Sequence, residues 1–363
     1  MQDSGEHSGD FWEITVMLIV AQLVNALQLG SIYALVALGY SMVYGIIKLL
    51  NFAHGDIIMV GGYVALLTLA AGLPPAFAIM VVIIGCTALA VIMEKLAYTP
   101  LRNPTRISVF VTAIVLAGGL IILFALAFEL SWILTAILTV VVCTVIAFVM
   151  LKLDYAPRGN APRISVLITA IGLSLFLQNT AQYVFGTTLQ PLHIPFPTGN
   201  LEIGGILLSY PMLITIGLSL FSMAALNFIV QKTRLGKAMR AVSEDMEAAQ
   251  LMGINVNSIV TFTFAVGASL AGIGAILYFV RFPVVIPTVG ALLGLKAFVA
   301  AVLGGIGSIP GAMLGGFAIG FLEVIVTAVG LSRWADGAVF LVLIVVLLVR
   351  PSGLMGQPMI EKV

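Results

Sequence analysis

Residues 75–97 read PAFAIMVVIIGCTALAVIMEKLA, and this run decides the class of fold. It contains no charged residue before Glu94, and a helix needs about 20 mainly apolar residues to cross the hydrocarbon core of a bilayer. The rest of the chain is similar, since 61% of its 363 residues are hydrophobic and only 9% are charged. Soluble domains carry about 25% charged residues, so we predict a protein whose solvent is lipid.

Comparable apolar runs follow one another along the chain. They lie at 14–29, 31–47, 56–72, 75–97, 107–128, 131–151, 164–185, 206–230, 257–280, 291–306, 311–330 and 334–350. We therefore predict an all-α, polytopic transmembrane helical bundle with about 10–12 spans, some of which are half-helices. Residues 1–363 form a single transmembrane domain in this interpretation.

The positions of Lys and Arg predict the orientation, because cytoplasmic loops hold an excess of both. With the polar segment 232–256 placed inside, most of the basic residues fall inside as well. Arg281 and Arg333 fall outside, and Lys296 lies within a span. Both termini are then cytoplasmic, but the N-terminus is outside if residues 14–47 form one long helix.

Part of the chain is a tandem duplication. Cys86–Ile114 reads CTALAVIMEKLAYTPLRNPTRISVFVTAI, and Cys143–Ile171 reads CTVIAFVMLKLDYAPRGNAPRISVLITAI in the same register. The first copy covers 86–142, and 143–171 begins the second. The repeat holds two spans and a basic loop, so it leaves all later segments on their original side. We interpret Cys86 and Cys143 as small buried apolar residues.

The longest polar stretch between spans is RLGKAMRAVSEDMEAAQLMGINVN, which begins at Arg234. Its composition predicts a helix from Gly236 to Met252, with Gly253 as the stop. The apolar face would hold Met239, Val242, Met246 and Ala249 or Gln250, and another face would hold Arg240, Glu244 and Glu247. Such a helix can enter a groove on a partner or lie on lipid headgroups, and its amphipathicity does not choose between these roles.

A polar cluster of Asn51, His54 and Asp56 lies at a membrane boundary in the glycine-rich stretch 39–62. Polar residues near membrane depth often face a cavity or another helix. The cluster is therefore either part of a gate or pathway, or a tight cytosolic turn whose polar groups cap helix ends.

Glycine is concentrated in GALLGLKAFVAAVLGGIGSIPGAMLGG, residues 290–316. The part with Gly304, Gly305 and Gly307 cannot be a stable helix interior, so we predict a broken or re-entrant element. Backbone of that kind must be buried in protein or line a water-filled path. Nearby, Lys296 can reach the interface, pair with an acid such as Glu323, or contact a carboxylate in transit.

Missing motifs exclude several functions. The chain has no GxxxxGK[ST] motif, so it does not bind ATP through a P-loop. Its three histidines are scattered and no Cys/His cluster occurs, so we expect no metal site and no catalytic residues. With a net charge of +1 and no basic domain, nucleic acid is not an expected partner.

Four stretches closely resemble the permease subunits of bacterial branched-chain amino acid ABC importers. They are GSIYALVALGYSMVYGIIKLLNFAHGDIIMVGGYVA from Gly30, KAMRAVSEDMEAAQLMGIN from Lys237, LKAFVAAVLGGIGSIPGAMLGG from Leu295, and the ending RPSGLMGQPMIEKV. The resemblance covers nearly the whole chain. It implies a multi-pass protein of the bacterial inner membrane that is not an enzyme and binds no cofactor, because ATP is used by partner subunits.

The resemblance also implies partners. Such a permease works in membrane lipid with two ATP-binding cassette subunits, a second homologous permease and an extracytoplasmic solute-binding protein. Segment 232–256 would be the coupling loop that docks on an ATPase. Its implied coupling residues are Arg240, Glu244, Asp245, Glu247, Ala248, Ala249 and Gly253. Four of these have the E-A-A-x-x-x-G spacing of such loops, although the Ile and Leu-Pro that follow in that motif are absent here.

The implied solutes are leucine, isoleucine and valine, while related permeases carry urea or short amides. An ion-coupled secondary carrier and a membrane scaffold are the alternatives from other classes. A carrier would need more ionisable residues at membrane depth and inverted repeats, and a scaffold gives no reason for a broken glycine-rich span. Candidate residues of the translocation path or gate are Asn51, His54, Asp56, Lys296, Gly304, Gly305, Gly307 and Glu323.

Overall fold

The structure is a computed structural model that describes residues 6–48, 51–99, 141, 145, 163–197, 199–203, 206–350 and 352–356. The spans predicted at 107–128 and 131–151 lie outside these residues almost entirely, as does most of the repeat in 86–142 and 143–171. Cys86 is buried and free, as expected of a small core residue, and Cys143 lies outside the described residues.

The described part of the chain is almost entirely helical, which confirms the predicted class. The helices are α1 (Glu6–Ile47), α2 (His54–Ala70), α3 (Pro75–Met93), α4 (Arg163–Phe185), α5 (Tyr210–Lys232), α6 (Arg234–Glu244), α7 (Met246–Leu251), α8 (Val256–Arg281), α9 (Val289–Gly304), α10 (Ile309–Ala328) and α11 (Ala335–Val349). A π-helical turn, Glu94–Tyr98, extends α3, and a 3-10 turn, Ser332–Trp334, precedes α11.

Within the described residues, six helical segments are long and apolar enough to cross a membrane. They are Thr15–Ile47, Pro75–Tyr98, Tyr210–Lys232, Val256–Arg281, Ile309–Ala328 and Ser332–Val349. Two further apolar helices, α2 and α9, have only 17 and 16 residues. At about 1.5 Å per residue they are roughly 25 Å long, which is shorter than the hydrocarbon core of about 30 Å. They are therefore shorter than a full span, in line with the prediction that some elements are short, and are called half-helices below.

The prediction of separate spans at 14–29 and 31–47 was wrong, because both belong to the continuous helix α1. Gly30 does not break this helix but lets α10 approach it: a Cβ at Gly30 would lie 2.9 Å from the Cα of Phe317. Close helix crossings in membranes use small residues in this way. Helix α1 counts as one span, and the two spans predicted within 107–151 are kept in the count. With segment 232–256 inside, the positive-inside rule then places the N-terminus outside.

Two short antiparallel strand pairs lie among the described residues, on the outer side of this topology. Strand β1 (Gln190–Pro191) pairs with β4 (Val284–Val285), and β2 (Asn200–Ile203) forms a hairpin with β3 (Ile206–Ser209). The predicted span 206–230 therefore began too early. Helix α5 starts at Tyr210 with Pro211 in its first turn, a position that suits proline because its missing N–H is not needed there.

Helix α1 is the centre of the bundle. Every residue from Gln28 to Val43 is buried, and the helix packs along α10 and against α8, α9 and α5. Large apolar side chains point outward from peripheral helices, such as Phe221 on α5 and Leu348 on α11, which are 70% and 79% exposed. A bilayer covers such surfaces, so the fold has an interior of close helix contacts and an apolar exterior.

Candidate functional site

Segment 232–256, which the resemblance implies is the coupling loop and which keeps that name below, contains two helices where the sequence predicted one. Asp245 adopts an extended conformation (φ −154°) between α6 and α7 and ends the first helix. Its carboxylate accepts hydrogen bonds from the backbone N–H groups of Glu247 (2.9 Å) and Ala248 (3.0 Å). Asp245 is thus an N-cap, and the preference of aspartate for that position explains why the predicted helix 236–252 is interrupted here.

Both ends of the coupling loop are also capped, which fixes its geometry relative to the spans. The hydroxyl of Thr233 accepts a hydrogen bond from Gly236 N–H at the start of α6, and Asn255 accepts one from Ser258 N–H at the start of α8. Gly253 has φ +83° in the turn after α7. A Cβ there would meet no atom within 4 Å, so glycine is needed for its backbone conformation alone.

The predicted apolar face of the loop is largely confirmed, because Met239, Val242 and Ala249 are buried. Ala249 therefore faces the protein, not a partner. The other candidate coupling residues are exposed: Arg240, Glu244, Asp245, Glu247, Ala248 and Gly253. Arg240 donates a 2.6 Å hydrogen bond to Gln231 on α5.

The sequence did not predict the exposure of two apolar residues at the tip of the coupling loop. Leu251 and Met252 are 89% and 83% exposed, directly before Gly253. Large apolar side chains this exposed on a polar loop are typical of a surface that a partner covers. The sequence signal for their exposure was their position just before a helix-ending glycine. Side chains at the end of a short helix can extend beyond the face with which the helix packs on the protein.

His54 lies deeper than the membrane boundary at which the sequence placed it. A Cβ at Gly39 would lie 2.5 Å from His54 Nε2 and 3.0 Å from the carbonyl oxygen of Gly267, so these three residues are neighbours. Gly267 lies near the midpoint of α8, which crosses the membrane. Helix α2 therefore begins at membrane depth and runs outward.

The N-terminus of α9 meets the N-terminus of α2 at the same place. A Cβ at Gly290 would lie 2.7 Å from the Cα of Asp56, and one at Gly294 would lie 2.9 Å from the Cα of Gly55. Only glycine allows this approach. Neither helix has a side-chain cap at its N-terminus, so two positive helix ends lie together inside the bundle. We call this place, formed by the first turns of α2 and α9, the half-helix junction.

Polar side chains from distant parts of the chain surround the half-helix junction. Gln178 on α4 donates a 3.1 Å hydrogen bond to Asp56 Oδ1 and a 3.0 Å bond to Ser174 Oγ. Tyr98 donates a 2.8 Å hydrogen bond to Asn51 Oδ1. Other buried polar atoms here have no hydrogen-bond partner in the described structure: Asn51 Nδ2, His54 Nε2 and Asp56 Oδ2.

Lys296 pairs with Glu323, one of the three possibilities left open by the sequence. Its Nζ lies 3.0 Å from Glu323 Oε1 and 2.6 Å from Asp336 Oδ1, and Tyr33 donates a 2.8 Å hydrogen bond to Glu323 Oε2. The network joins α9, α10, α11 and α1. Asp336 was missed because it begins a different span, which only the fold brings to Lys296.

The predicted break in the glycine-rich stretch is present between α9 and α10. Gly305 and Gly307 have φ +105° and +91°, and Ser41 on α1 accepts a 3.0 Å hydrogen bond from Gly307 N–H. The C-terminal segment closes the end of α9, since Leu354 N–H donates to the Leu303 carbonyl (2.8 Å) and Met355 N–H to that of Gly304 (2.9 Å). Gly304 and Gly305 are buried in protein, as non-helical backbone at membrane depth must be unless it lines a water-filled path, whereas Gly307 is exposed.

One buried acid, Glu94, was not among the residues singled out from the sequence. Glu94 starts the π-helical turn after α3, is fully buried, and accepts hydrogen bonds from Thr99 (2.7 Å) and Thr261 (2.9 Å). An acid at the end of a long apolar run was the signal for it. These bonds join α3 to α8.

The fold and these sites define a multi-pass transport permease of the membrane: half-helices meet inside the bundle, and a capped helical loop extends from it. Comparison with known proteins gives the family. The model for the permease component of the branched-chain amino acid transport system matches residues 22–129 and 107–348. The chain belongs to this family, and it is a transport component of the bacterial inner membrane, not an enzyme.

Relatives match over nearly their whole length. The high-affinity branched-chain amino acid transport system permease protein BraD of Pseudomonas aeruginosa is 36% identical over 348 residues, covering 94% of this chain and 97% of BraD. LivH of Escherichia coli K12, named for the same transport system, is 34% identical over 351 residues, covering 96% and 98%. The ribose import permease protein RbsC of Haemophilus influenzae is 34% identical over 125 residues, covering 33% and 38%. No solved structure matches the chain.

Proposed function

We propose that this chain translocates leucine, isoleucine and valine across the inner membrane as the permease of a binding-protein-dependent ABC importer. The observation that carries the proposal is the match, over almost the full length of both chains, to relatives named as branched-chain amino acid permeases. Two ATPase subunits, a second homologous permease and an extracytoplasmic binding protein complete the assembly. This chain binds no cofactor itself, because ATP is used by its partners.

The coupling loop is the proposed contact with an ATPase. Leu251 and Met252 form an apolar tip, with Glu244 and Glu247 exposed beside it. A groove that accepts a short helix usually takes a few apolar anchors surrounded by polar contacts. Arg240, Asp245, Ala248 and Gly253 are the other exposed residues proposed for this contact, and the buried Ala249 supports the loop from inside.

The capped turns provide the proposed mechanical link. Helix α5 leads into α6 through Thr233, and α7 leads into α8 through Asn255. Because both turns are fixed by hydrogen bonds, movement of the loop with its ATPase is passed to α5 and α8. Helix α8 packs against α1, α2 and α3, so its tilt changes the packing around the half-helix junction. ATP binding and hydrolysis would then open the path alternately to each side.

The proposed path or gate contains three groups of residues. Asn51, His54 and Asp56 lie at the half-helix junction. Lys296 and Glu323 lie in the ion-pair network with Asp336 at the start of α11, and Gly304, Gly305 and Gly307 form the break near the cytoplasmic side. Intramembrane polar and ionisable residues usually mark pathways, which supports this assignment.

Affinity purification tests the proposed assembly. The tagged chain is solubilised from its native membrane in mild detergent, and co-purifying proteins are identified by mass spectrometry. We expect ATPase subunits and a second permease with the wild type, and loss of the ATPases with Leu251→Glu/Met252→Glu. Val329→Glu, at an exposed apolar position after α10, is the matched control and should keep them. Recovery of the wild-type chain without ATPases, from membranes that contain them, would contradict the proposal.

A further inference from the structure

Asp56 lies at membrane depth, at a place where two helix ends can stabilise its negative charge. It lies in the first turn of α2, and its Oδ1 would be 2.7 Å from a Cβ at Gly290 in the first turn of α9. The positive ends of both helices therefore stabilise the carboxylate. The side chain is fully buried, so without such compensation its charge would be strongly disfavoured there.

The hydrogen bonds of Asp56 leave one oxygen unused. Gln178 holds Oδ1, and the hydroxyl of Ser174, which accepts a hydrogen bond from the same amide, lies beside the carboxyl group as well. Oδ2 has no hydrogen-bond partner in the described structure, and the ion pairs of the described residues do not include Asp56. A buried carboxylate oxygen without a donor is costly, and such groups usually serve a purpose. The missing partner must be a donor, and a cationic donor would match the charge best.

Several features favour an organic ammonium group as this partner over a metal ion. A hard cation needs several oxygen ligands, and the neighbours Asn51 and His54 instead leave nitrogen atoms, Nδ2 and Nε2, unpaired. Asn51 Nδ2, and His54 Nε2 when it carries the proton, can donate hydrogen bonds to an anion that lies beside the two positive helix ends. The half-helix junction therefore offers an acceptor for a cation beside donors for an anion, which is the pattern that a zwitterion requires.

We propose that the half-helix junction binds the amino-acid head of the transported solute, and that Asp56 Oδ2 accepts a hydrogen bond from its ammonium group. This inference rests on the proposed function and adds the residues by which this chain would select an α-amino acid over an uncharged solute such as urea. Gln178 is a positioning residue, because it orients the carboxylate without contacting the solute.

The test separates the charge of Asp56 from its structural role. Asp56→Asn keeps the shape and an acceptor for Gln178 but removes the charge. Glu202→Gln, on the exposed outer hairpin, is the control for loss of an acid. The complete importer is reconstituted in proteoliposomes with leucine-loaded binding protein. Initial rates of leucine uptake and of ATP hydrolysis are measured for the wild type and both variants, with and without sodium.

We expect Asp56→Asn to lower leucine uptake about tenfold or more, the factor associated with loss of a charge-assisted hydrogen bond. The variant should still assemble with its partners, and Glu202→Gln should transport leucine at the wild-type rate. Uptake by Asp56→Asn at the wild-type rate would overturn the inference while leaving the proposed function intact. Failure of this variant to assemble would show a structural role and would also overturn it.

Two further outcomes complete the test. If uptake by the wild type requires sodium and Asp56→Asn removes that requirement, the bound cation is sodium, and the ammonium site is wrong. If the wild type itself shows no ATP-dependent leucine uptake, the proposed function fails, and this inference fails with it.

Discussion

Lys296 Nζ lies 3.0 Å from Glu323 Oε1 and thereby joins α9 to α10 inside the bundle, where the side chains are only 7% and 16% exposed. Asp336, at 2.6 Å, is 48% exposed and connects the pair to the outer surface. A buried ion pair adds little net stability, but removing one partner leaves an uncompensated charge. The pair therefore fixes how α9 and α10 sit against each other more than it stabilises the fold.

Lys296→Met should destabilise the protein strongly, by about 3–5 kcal/mol, because Glu323 loses its counter-ion in a buried place. The double variant Lys296→Met/Glu323→Gln should recover much of this loss, since no buried charge is then left unpaired and the remaining acid, Asp336, is 48% exposed to solvent. Thermal unfolding of the purified variants in detergent measures both effects. A double variant no more stable than Lys296→Met would show that the pairing does not account for the loss.

Gly316→Val should impair folding because a Cβ at Gly316 would lie 2.6 Å from the Cβ of Ala34 on α1. Overpacking of a close helix contact typically costs about 1–3 kcal/mol. Gly217→Val on α5 is the control, since a Cβ there meets no atom within 4 Å. Yield of folded protein after gel filtration should fall for Gly316→Val and stay near wild type for Gly217→Val. Equal yields would contradict the close crossing of α1 and α10.

Substitutions of Gly253 should separate backbone conformation from side-chain size. Valine at φ +83° costs about 1–2 kcal/mol more than glycine, whereas asparagine tolerates this conformation. We therefore expect Gly253→Val to lower the ATP hydrolysis stimulated by loaded binding protein severalfold, and Gly253→Asn to resemble wild type. If both variants are equally impaired, the side chain and not the turn is the cause.

Removal of residues 352–363 should destabilise the end of α9. The buried carbonyls of Leu303 and Gly304 lose the N–H groups of Leu354 and Met355, at about 1–3 kcal/mol for each unsatisfied group. Removal of residues 357–363 alone retains both hydrogen bonds and serves as the control. The midpoint of thermal unfolding should fall clearly for the longer deletion only. A similar fall for both deletions would mean that these two bonds are not responsible.

Much of the fold could be predicted from the sequence because a helix that crosses the lipid bilayer must be long and apolar. Long apolar runs predicted α3, α5, α8, α10 and α11, and glycine and proline predicted the break after Gly304. At Gly30 the sequence predicted a boundary between two spans, and that prediction was wrong. The same residue can end a helix or let another helix approach, and only the position of Phe317 decides between the two.

Less of the candidate site could be predicted, because its contacts join residues that are far apart in the chain. Asn51, His54 and Asp56 were recognised as polar residues near the membrane. Their depth, and the partners Gln178 and Tyr98, depend on how α2, α3, α4 and α9 pack. The exposure of Leu251 and Met252 likewise depends on the fold, in which Asp245 divides the coupling loop into two helices.

The central claim is that ATP hydrolysis in partner subunits drives transport through this chain by way of the coupling loop. The direct test is uptake of radiolabelled leucine into proteoliposomes that contain the complete importer, with ATP supplied on the ATPase side. We predict ATP-dependent accumulation by the wild type, its loss with Leu251→Glu/Met252→Glu, and normal accumulation with Val329→Glu. Accumulation by the double variant at the wild-type rate would contradict coupling through this loop.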